Sequence, residues 1–191
     1  MTLSTPSKTA KFETAWQSIA NSRMWLLTLL VLSTASNGIY AHTPLVAWAA
    51  IAGTTLPRRK AIPFIAIIWL INQGIGFSVR GYPLTGVAFT WGALMGVGAL
   101  LATVWSSIRP SISRHHLIGH LLWVAIACLG GFLLYQGPIM AAFPILADGH
   151  QMGWTVVSRL LVKQISWTGA IALLHTLLLK QRMQPRSSAS S

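Results

Sequence analysis

The sequence predicts an all-α integral membrane protein with six transmembrane helices. Of its 191 residues, 53% are hydrophobic and only 8% are charged, whereas a soluble domain carries about 25% charged residues. The apolar residues form continuous runs of about 17 to 25 residues, the length that crosses a hydrocarbon core of roughly 30 Å. Because these runs do not alternate between apolar and polar residues, they do not indicate a transmembrane β-barrel.

The distribution of charge predicts the orientation of the helices. The chain has 14 basic and two acidic residues, a net charge of +12. Basic residues concentrate in the cytoplasmic loops of membrane proteins, and placing both termini in the cytoplasm puts most of the basic residues there. These are Lys8, Lys11, Arg23, Arg58, Arg59, Lys60, Arg109, Arg114, Lys180, Arg182 and Arg186. Topology and contact with anionic membrane lipid explain their charge, so it does not predict a nucleic-acid partner.

Three segments follow from this pattern. Residues 1–22 form a cytoplasmic or interfacial segment with a short helix in KFETAWQSIANS, residues 23–180 form the six-helix membrane domain, and residues 181–191 form a disordered cytoplasmic tail. The loop after span five, GPIMAAFPILADGHQMG, is apolar with two prolines and is predicted to fold back over the outer side as a lid. The six spans run over about residues 23–40, 44–57, 61–79, 84–108, 115–135 and 154–179.

The first two spans are short. At 1.5 Å per residue they rise about 26 Å and about 20 Å, and the second is shorter than a bilayer core. The turn between them, with Tyr40 and His42, is therefore predicted to lie below the outer surface. Non-helical backbone at that depth is covered by protein or lines a wet cavity. We predict an outward-facing depression, and the alternative is a tilted or locally thinned site with nothing bound.

The later spans contain small residues that predict close helix packing. Gly92 and Gly96 form a GxxxG pair in span four, and Gly130–Gly131 and Gly169–Ala170 lie in spans five and six. Small residues of this kind let the backbones of membrane helices approach each other. We interpret them as packing positions.

Polar side chains collect in the outer halves of the spans and in the outer loops, while the inner halves are nearly bare. Polar residues in a membrane span are costly and usually face the bundle interior or a water-filled cavity. Clustering on one side predicts a substrate-binding pocket open to the outside rather than a pore. Its predicted residues are Tyr40, His42, Asn72, Gln73, Arg80, Tyr82, Trp91, Asp148, His150, Arg159 and Lys163.

Two basic residues fall inside an apolar run. Arg159 and Lys163 are four residues apart and so share one helix face. With span six starting near Trp154, they lie about 7 Å and about 13 Å down the helix. A bound carboxylate or phosphate would complete such a site. The alternative for Arg159 is that its side chain extends to the outer headgroups.

Adjacent amides in span three form the second part of the predicted pocket. Asn72 and Gln73 are followed by Gly74 and Gly76. The amides can present hydrogen-bond donors and acceptors to a ligand, and the glycines allow a ligand to approach the backbone closely. Hydrogen bonding between helices is the alternative role.

Residues that bind metals or catalyse reactions are sparse. Cys128 is the only cysteine, which excludes an internal disulfide and a CxxC motif. His116 and His120 have a spacing compatible with a metal, but no third ligand is evident. No paired-carboxylate site, GxSxG, HExxH or P-loop is present, so we predict no metal site and no enzymatic activity.

Six helices, both termini inside, a short first hairpin and a polar outer cavity resemble the S components of energy-coupling-factor vitamin transporters. Within that group, WLINQGIGFSVRGYPLTG is similar to the solitary cobalamin-type branch in its NQ-x-x-GF and YP spacing. The resemblance implies capture of a solute from outside, with cobalamin as transported ligand and ATPase-driven subunits as partners. Where some members have a cobalt-ligating cysteine, this chain has Ser78 and Arg80, so His42 or His150 is the alternative ligand.

The residues and the resemblance together favour a multi-pass uptake protein of a bacterial inner membrane. It would bind a vitamin-like solute, such as cobalamin, in an outward-facing pocket and deliver it to the cytoplasm, with membrane lipid as its surroundings and no resident cofactor. Two alternatives stay open. One is an assembly or structural subunit of a larger membrane complex, and the other is a haem- or metal-binding protein that uses His42, His150 or His175.

Overall fold

The computed structural model describes residues 8–40, 43–147 and 153–184. The regular secondary structure in this part of the chain is all helical, with no strand. Four helices are long and apolar enough to cross a membrane, which confirms a multi-pass α-helical membrane protein. The elements are α1 (Lys8–Asn21), α2 (Arg23–Ile39), α3 (Leu45–Thr55), α4 (Arg58–Ser78), α5 (Gly86–Ser106), α6 (Ser111–His115), α7 (Leu117–Leu146) and α8 (Trp154–Met183).

Each predicted span coincides with a helix, and the four long ones are α4, α5, α7 and α8. The largest difference is in span five, because α7 continues to Leu146 through Pro138 and Pro144. Proline is tolerated in membrane helices, where neighbouring groups satisfy the backbone that it leaves without a hydrogen bond. Much of the predicted lid is therefore the end of α7. Of the predicted tail, residues 181–183 belong to α8, and residues 185–191 lie outside the described part.

The N-terminal helix α1 packs against the bundle with one face. Its buried residues recur at the helical spacing i, i+3, i+4, i+7 and i+8, which is typical of an amphipathic helix with one face on a core. The Trp16 indole N–H donates to the Thr54 carbonyl at 3.1 Å. This contact fixes α1 to the end of α3. The buried residues of α1 are Phe12, Ala15, Trp16, Ile19 and Ala20.

The short helix α3 lies in the centre of the bundle. All of its residues from Leu45 to Thr55 are buried, and it packs against α4, α5, α7 and α8. A helix that is apolar on every side is stable only when other elements surround it. Its 11 residues rise about 16 Å, which is shorter than a bilayer core. Thr43 and Pro44, which directly precede α3, are also buried.

The two glycines of the GxxxG pair receive side chains from α4. Trp69 lies over Gly96 and Gln73 lies over Gly92, and the Trp69 indole N–H donates to the Gly92 carbonyl at 2.8 Å. A Cβ atom at Gly96 would lie 2.6 Å from the Trp69 ring. The structure thus confirms the interpretation of this pair as a packing position between α4 and α5.

We expect Gly96→Val to lower the free energy of unfolding by about 1–3 kcal/mol, because the added atoms overpack the contact with Trp69. The matched control is Gly74→Ala, where an added Cβ atom meets nothing within 4 Å. Alanine should leave stability unchanged or raise it by up to about 1 kcal/mol through its helix propensity. Chemical unfolding of the purified variants in detergent measures both. Equal stabilities would contradict the close packing of α4 on α5.

Candidate functional site

A cavity of about 280 Å³ lies between α5, α7 and α8, beside the turn that precedes α3. It is at the end of the bundle where α5 and α8 begin and α7 ends. Aromatic side chains form much of its wall, namely Trp91, Phe132, Tyr135 and Phe143. Its polar lining residues are Thr43, Gln136, Lys163 and Gln164.

Lys163 brings a positive charge to the cavity wall. It is half-buried, and its ammonium nitrogen lies 5.1 Å from the centroid of the Tyr40 ring. An ammonium group within about 6 Å of an aromatic ring is attracted by the negative face of that ring. Tyr40 also makes an edge contact with Trp167 at 6.3 Å between centroids. The ring of Tyr40 therefore helps to position the lysine.

A buried cluster of polar side chains joins α2, α4 and the turn before α3. The Thr43 hydroxyl lies 3.0 Å from Asn72 Oδ1 and also donates to Asn37 Oδ1. The Asn37 amide donates to the Ser33 carbonyl at 3.1 Å. All of these residues are buried. Asn72 on α4 thus contacts Thr43 in the turn before α3 and helps to orient it at the cavity wall.

Gln164 fixes the beginning of α3. It is only 4% exposed, and its Oε1 accepts a hydrogen bond from the Ala47 N–H at 2.9 Å. The first N–H groups of a helix have no partner within the helix, so this bond satisfies a group that membrane burial would otherwise penalise. The same bond leaves the NH2 of the Gln164 amide as the group available to a ligand.

Arg80 and Tyr82 hold the end of α4 rather than line the cavity. The Arg80 guanidinium donates to the carbonyls of Asn37 and of Tyr40, the latter at 2.7 Å. These carbonyls end α2, where the helix dipole favours positive charge. Tyr82 lies against Gly76 and makes an edge contact with Phe77 at 6.4 Å. Arg80 thus joins the end of α4 to the end of α2, and Tyr82 packs back against α4.

The structure brings together part of the predicted site. Trp91 and Lys163 line the cavity, and Tyr40 contacts Lys163. Asn72 contacts Thr43, which lies in the cavity wall. Gln73 packs on Gly92, and Arg159 is exposed, in keeping with its alternative role at the headgroups. His42, Asp148 and His150 lie outside the described residues.

Sequence reasoning missed several lining residues, among which Gln164 and Thr43 are the most informative. Gln164 stands next to Lys163 in a run that is otherwise apolar. A polar residue within a membrane span was the available signal for it. No comparable signal marks Phe132, Phe143 or Thr43, because apolar residues and a loop hydroxyl are ordinary at such positions.

A second polar cluster lies at the opposite end of the bundle, where the sequence predicted nearly bare inner halves. It includes His120 and His175, which are both 1% exposed and lie 5.2 Å apart between ring centroids. Trp25 lies 5.2 Å from His175 and donates to the Thr55 hydroxyl at 3.1 Å. These aromatic contacts explain how the two imidazoles pack in the core.

An ion pair and a cation–π contact complete this inner cluster. Glu13 Oε2 lies 3.5 Å from the Arg109 guanidinium, which stands 3.4 Å from the centroid of the Trp16 ring. Burial lowers the pKa of Arg109 to about 10, and the Glu13 carboxylate opposes this shift. The guanidinium therefore keeps its charge at neutral pH. In the described ranges, no group of three or more His, Cys, Asp or Glu residues is placed to hold a metal.

A larger apolar groove of about 490 Å³ lies between α7 and α8. Cys128 lies in its wall and accepts a hydrogen bond from the Thr168 hydroxyl at 3.3 Å. Gly169 and Ala172 leave the groove open on the α8 side. Its lining is almost entirely hydrocarbon, as expected for a surface that faces lipid or another membrane helix.

The fold and the cavity define a multi-pass α-helical membrane protein with a cationic, aromatic-walled pocket near one end of its bundle. Comparison with protein-family models, with curated proteins and with solved structures finds no match for this chain.

Proposed function

We propose that this protein is an uptake protein of a bacterial inner membrane that captures a vitamin-like solute from outside and delivers it to the cytoplasm. The observation that carries the proposal is the cavity beside Lys163, with its aromatic walls and two buried glutamines. A concave, largely apolar cavity with few converging polar groups is the usual form of a small-molecule site. This cavity lies at the end that is outermost when both termini are cytoplasmic.

The proposed topology has six spans, formed by α2, α3, α4, α5, α7 and α8, with both termini inside. The exposed basic residues Arg58, Arg59 and Arg114 lie together with α1 at the end away from the cavity, which supports this orientation. Because the sequence contains no nucleotide-binding motif, transport driven by ATP would need partner subunits. The resemblance to solitary cobalamin-type S components makes cobalamin the first named candidate ligand.

A structural or assembly subunit of a larger membrane complex is the second candidate. The open groove between α7 and α8 favours it, because a groove lined by small residues can receive a helix of another subunit. This candidate predicts stable co-purification with other membrane proteins and no affinity for small molecules. Haem binding has less support, since His175 is already packed between His120 and Trp25.

Mass spectrometry of solutes that co-purify with the protein tests the uptake proposal directly. With a solute in hand, we expect Lys163→Ala to weaken binding about 10- to 100-fold, the range for losing a hydrogen bond to a charged group. Asn72→Ala should weaken binding about threefold to tenfold, because Thr43 loses the partner that orients it. Isothermal titration in detergent measures both effects.

The matched control is Arg159→Ala, one helical turn from Lys163 on the exposed side of α8. We expect its affinity to equal that of the unaltered protein. Unchanged binding in both Lys163→Ala and Asn72→Ala would place the solute elsewhere. Absence of any bound solute, together with stable co-purified membrane proteins, would favour the assembly subunit.

A further inference from the structure

The groove of about 490 Å³ between α7 and α8 has a buried floor and two exposed rims. The floor includes Cys128 and Ala172, which are both buried. The rim residues recur at every fourth position, so on each helix they form one line along the groove. These rim residues are Leu121, Ala125 and Leu129 on α7, and Ile165, Gly169 and Leu173 on α8.

The length of the groove matches one leaflet of a bilayer. Its lining on α8 runs from Ile165 to Thr176, a rise of about 16 Å. One leaflet supplies half of a hydrocarbon core of roughly 30 Å. A transmembrane helix would continue through both leaflets, and with its side chains it is about 10–12 Å across. An acyl chain therefore fits the groove better than a helix of another subunit does.

The inner end of the groove carries a buried hydroxyl group. Thr176 lines this end and is 7% exposed, and its Oγ1 has no hydrogen-bond partner among the described residues. Thr103, by contrast, donates to the Ala99 carbonyl at 2.9 Å, as threonine commonly does within a helix. Threonine adopts two side-chain rotamers in helices, so its hydroxyl can turn towards the groove. An acceptor there would offset the cost of burying the hydroxyl in hydrocarbon.

Positive charge lies just beyond this hydroxyl. Lys180 is exposed and follows Thr176 by four positions, so it continues the same face of α8. Helix α7 begins at the same end, with no side-chain cap at His116, and the positive end of its dipole therefore lies there too. Glu13, the one acidic residue in the described ranges, is engaged with Arg109. A negatively charged group from outside the chain would complement this end.

We propose that the groove binds an anionic phospholipid. Its acyl chain lies along the groove, an ester carbonyl accepts from the Thr176 hydroxyl, and its phosphate lies beside Lys180. Hydrocarbon, ester and phosphate follow one another along the lipid in the same order as apolar wall, hydroxyl and ammonium along α8. With both termini in the cytoplasm, the lipid belongs to the cytoplasmic leaflet. The site is separate from the cavity beside Lys163 and does not depend on the uptake function.

The test titrates the purified full-length protein in detergent with dioleoyl phosphatidylglycerol or with dioleoyl phosphatidylcholine, which have the same chains. Native mass spectrometry measures the affinity for the first lipid bound. We expect the anionic lipid to bind at least fivefold more tightly, because its headgroup keeps a net negative charge for Lys180. Lys180→Gln should abolish this preference. The matched control is Arg59→Gln, an exposed basic position on α4 at the same end, which should preserve it.

Two further variants test the groove itself. An added Cβ atom at Gly169 meets nothing within 4 Å, so Gly169→Leu fills the groove and should weaken both lipids at least tenfold. Gly74→Leu is its control, because Gly74 on α4 is also exposed with nothing within 4 Å of an added Cβ atom, and it should bind normally. Thr176→Val keeps the shape but removes the hydroxyl, and it should weaken binding about threefold to tenfold.

The outcomes distinguish this lipid from other occupants. Equal affinities for the two lipids, or a preference that survives in Lys180→Gln, would overturn the proposal. Unchanged lipid binding in Gly169→Leu would show that the lipid lies elsewhere on the surface. If that variant instead lost a co-purified membrane protein or a second copy of the chain, the groove would hold a helix. Thermal unfolding checks that each variant is folded, and the exposed position of Lys180 makes its replacement mild.

Discussion

Replacing Arg109 by alanine is expected to lower the free energy of unfolding by about 1–3 kcal/mol, the cost of leaving a partly buried polar group without its partner. Arg109 is 8% exposed, whereas the side chain of Glu13 is 32% exposed, so water solvates part of the carboxylate that remains. The substitution leaves the Glu13 carboxylate without its cation, and it removes the guanidinium that stacks on the Trp16 ring. Chemical unfolding in detergent measures the change.

The same substitution should release α1 from the bundle. Glu13 and Trp16 are both on α1, and both contact Arg109, which lies beyond the end of α5. With these contacts gone, we expect trypsin to cleave after Lys11 much faster than in the unaltered protein, since Lys11 is already exposed and needs only an unfolded backbone. Unchanged cleavage would show that the buried apolar face holds α1 without the ion pair.

Two further variants separate the contributions of charge, ring contact and backbone at Arg109, and a third variant at Arg59 is the control. Arg109→Lys keeps the charge but loses the planar contact with Trp16, so its stability should be intermediate. Arg109→Gly removes the side chain but relieves a backbone φ of 42°, which costs a residue with a side chain roughly 1–2 kcal/mol. It should therefore be more stable than Arg109→Ala. Arg59→Ala, at an exposed basic position, should change stability by less than about 0.5 kcal/mol.

The helices could be predicted from the sequence because a membrane imposes one requirement. Backbone groups in hydrocarbon must be satisfied within the segment, so a long apolar run such as the one in α5 predicts a helix wherever it occurs. The end of α7 escaped prediction for a related reason. Pro138 and Pro144 are turn signals in a soluble chain, but surrounding helices allow α7 to continue through both.

The partners of the charged residues could not be predicted, because they depend on how distant segments pack. Glu13 and Arg109 are separated by 96 positions in sequence, and nothing near Glu13 marks it as the partner of a buried arginine. Arg80 was predicted to belong to the pocket because the predicted topology puts it on the outer side, and the structure shows that it donates to the carbonyls that end α2. Lys163 could be placed near a pocket because its predicted depth in the span left few alternatives, and the structure has it in the cavity wall.

The core and the candidate site are connected through aromatic rings. Trp48, at the centre of α3, lies 5.5 Å from Trp167, and Trp167 contacts Tyr40 at 6.3 Å. Tyr40 in turn lies 5.1 Å from the Lys163 ammonium. We therefore expect the position of the Lys163 ammonium to depend on the packing around α3, a helix that contributes no residue to the cavity wall.

Trp48→Ala tests this connection and is expected to lower the free energy of unfolding more than Arg109→Ala does. Trp48 is 0% exposed, and its indole N–H donates to the Ser36 hydroxyl at 3.2 Å. Truncating a buried tryptophan costs about 3–5 kcal/mol through lost contacts and the cavity that remains. Trp48→Phe keeps most of the volume and should cost about 0.5–1.5 kcal/mol, the net value of the hydrogen bond.

The control is Trp154→Ala at the start of α8, where the side chain is 79% exposed and the change should stay within about 0.5 kcal/mol. Because Trp167 loses the ring contact with Trp48, Trp48→Ala should also weaken binding of the proposed solute about tenfold at temperatures where the protein is still folded. Trp48→Phe should bind the solute normally. Lower stability with unchanged affinity would show that Tyr40 holds Lys163 in place without support from α3.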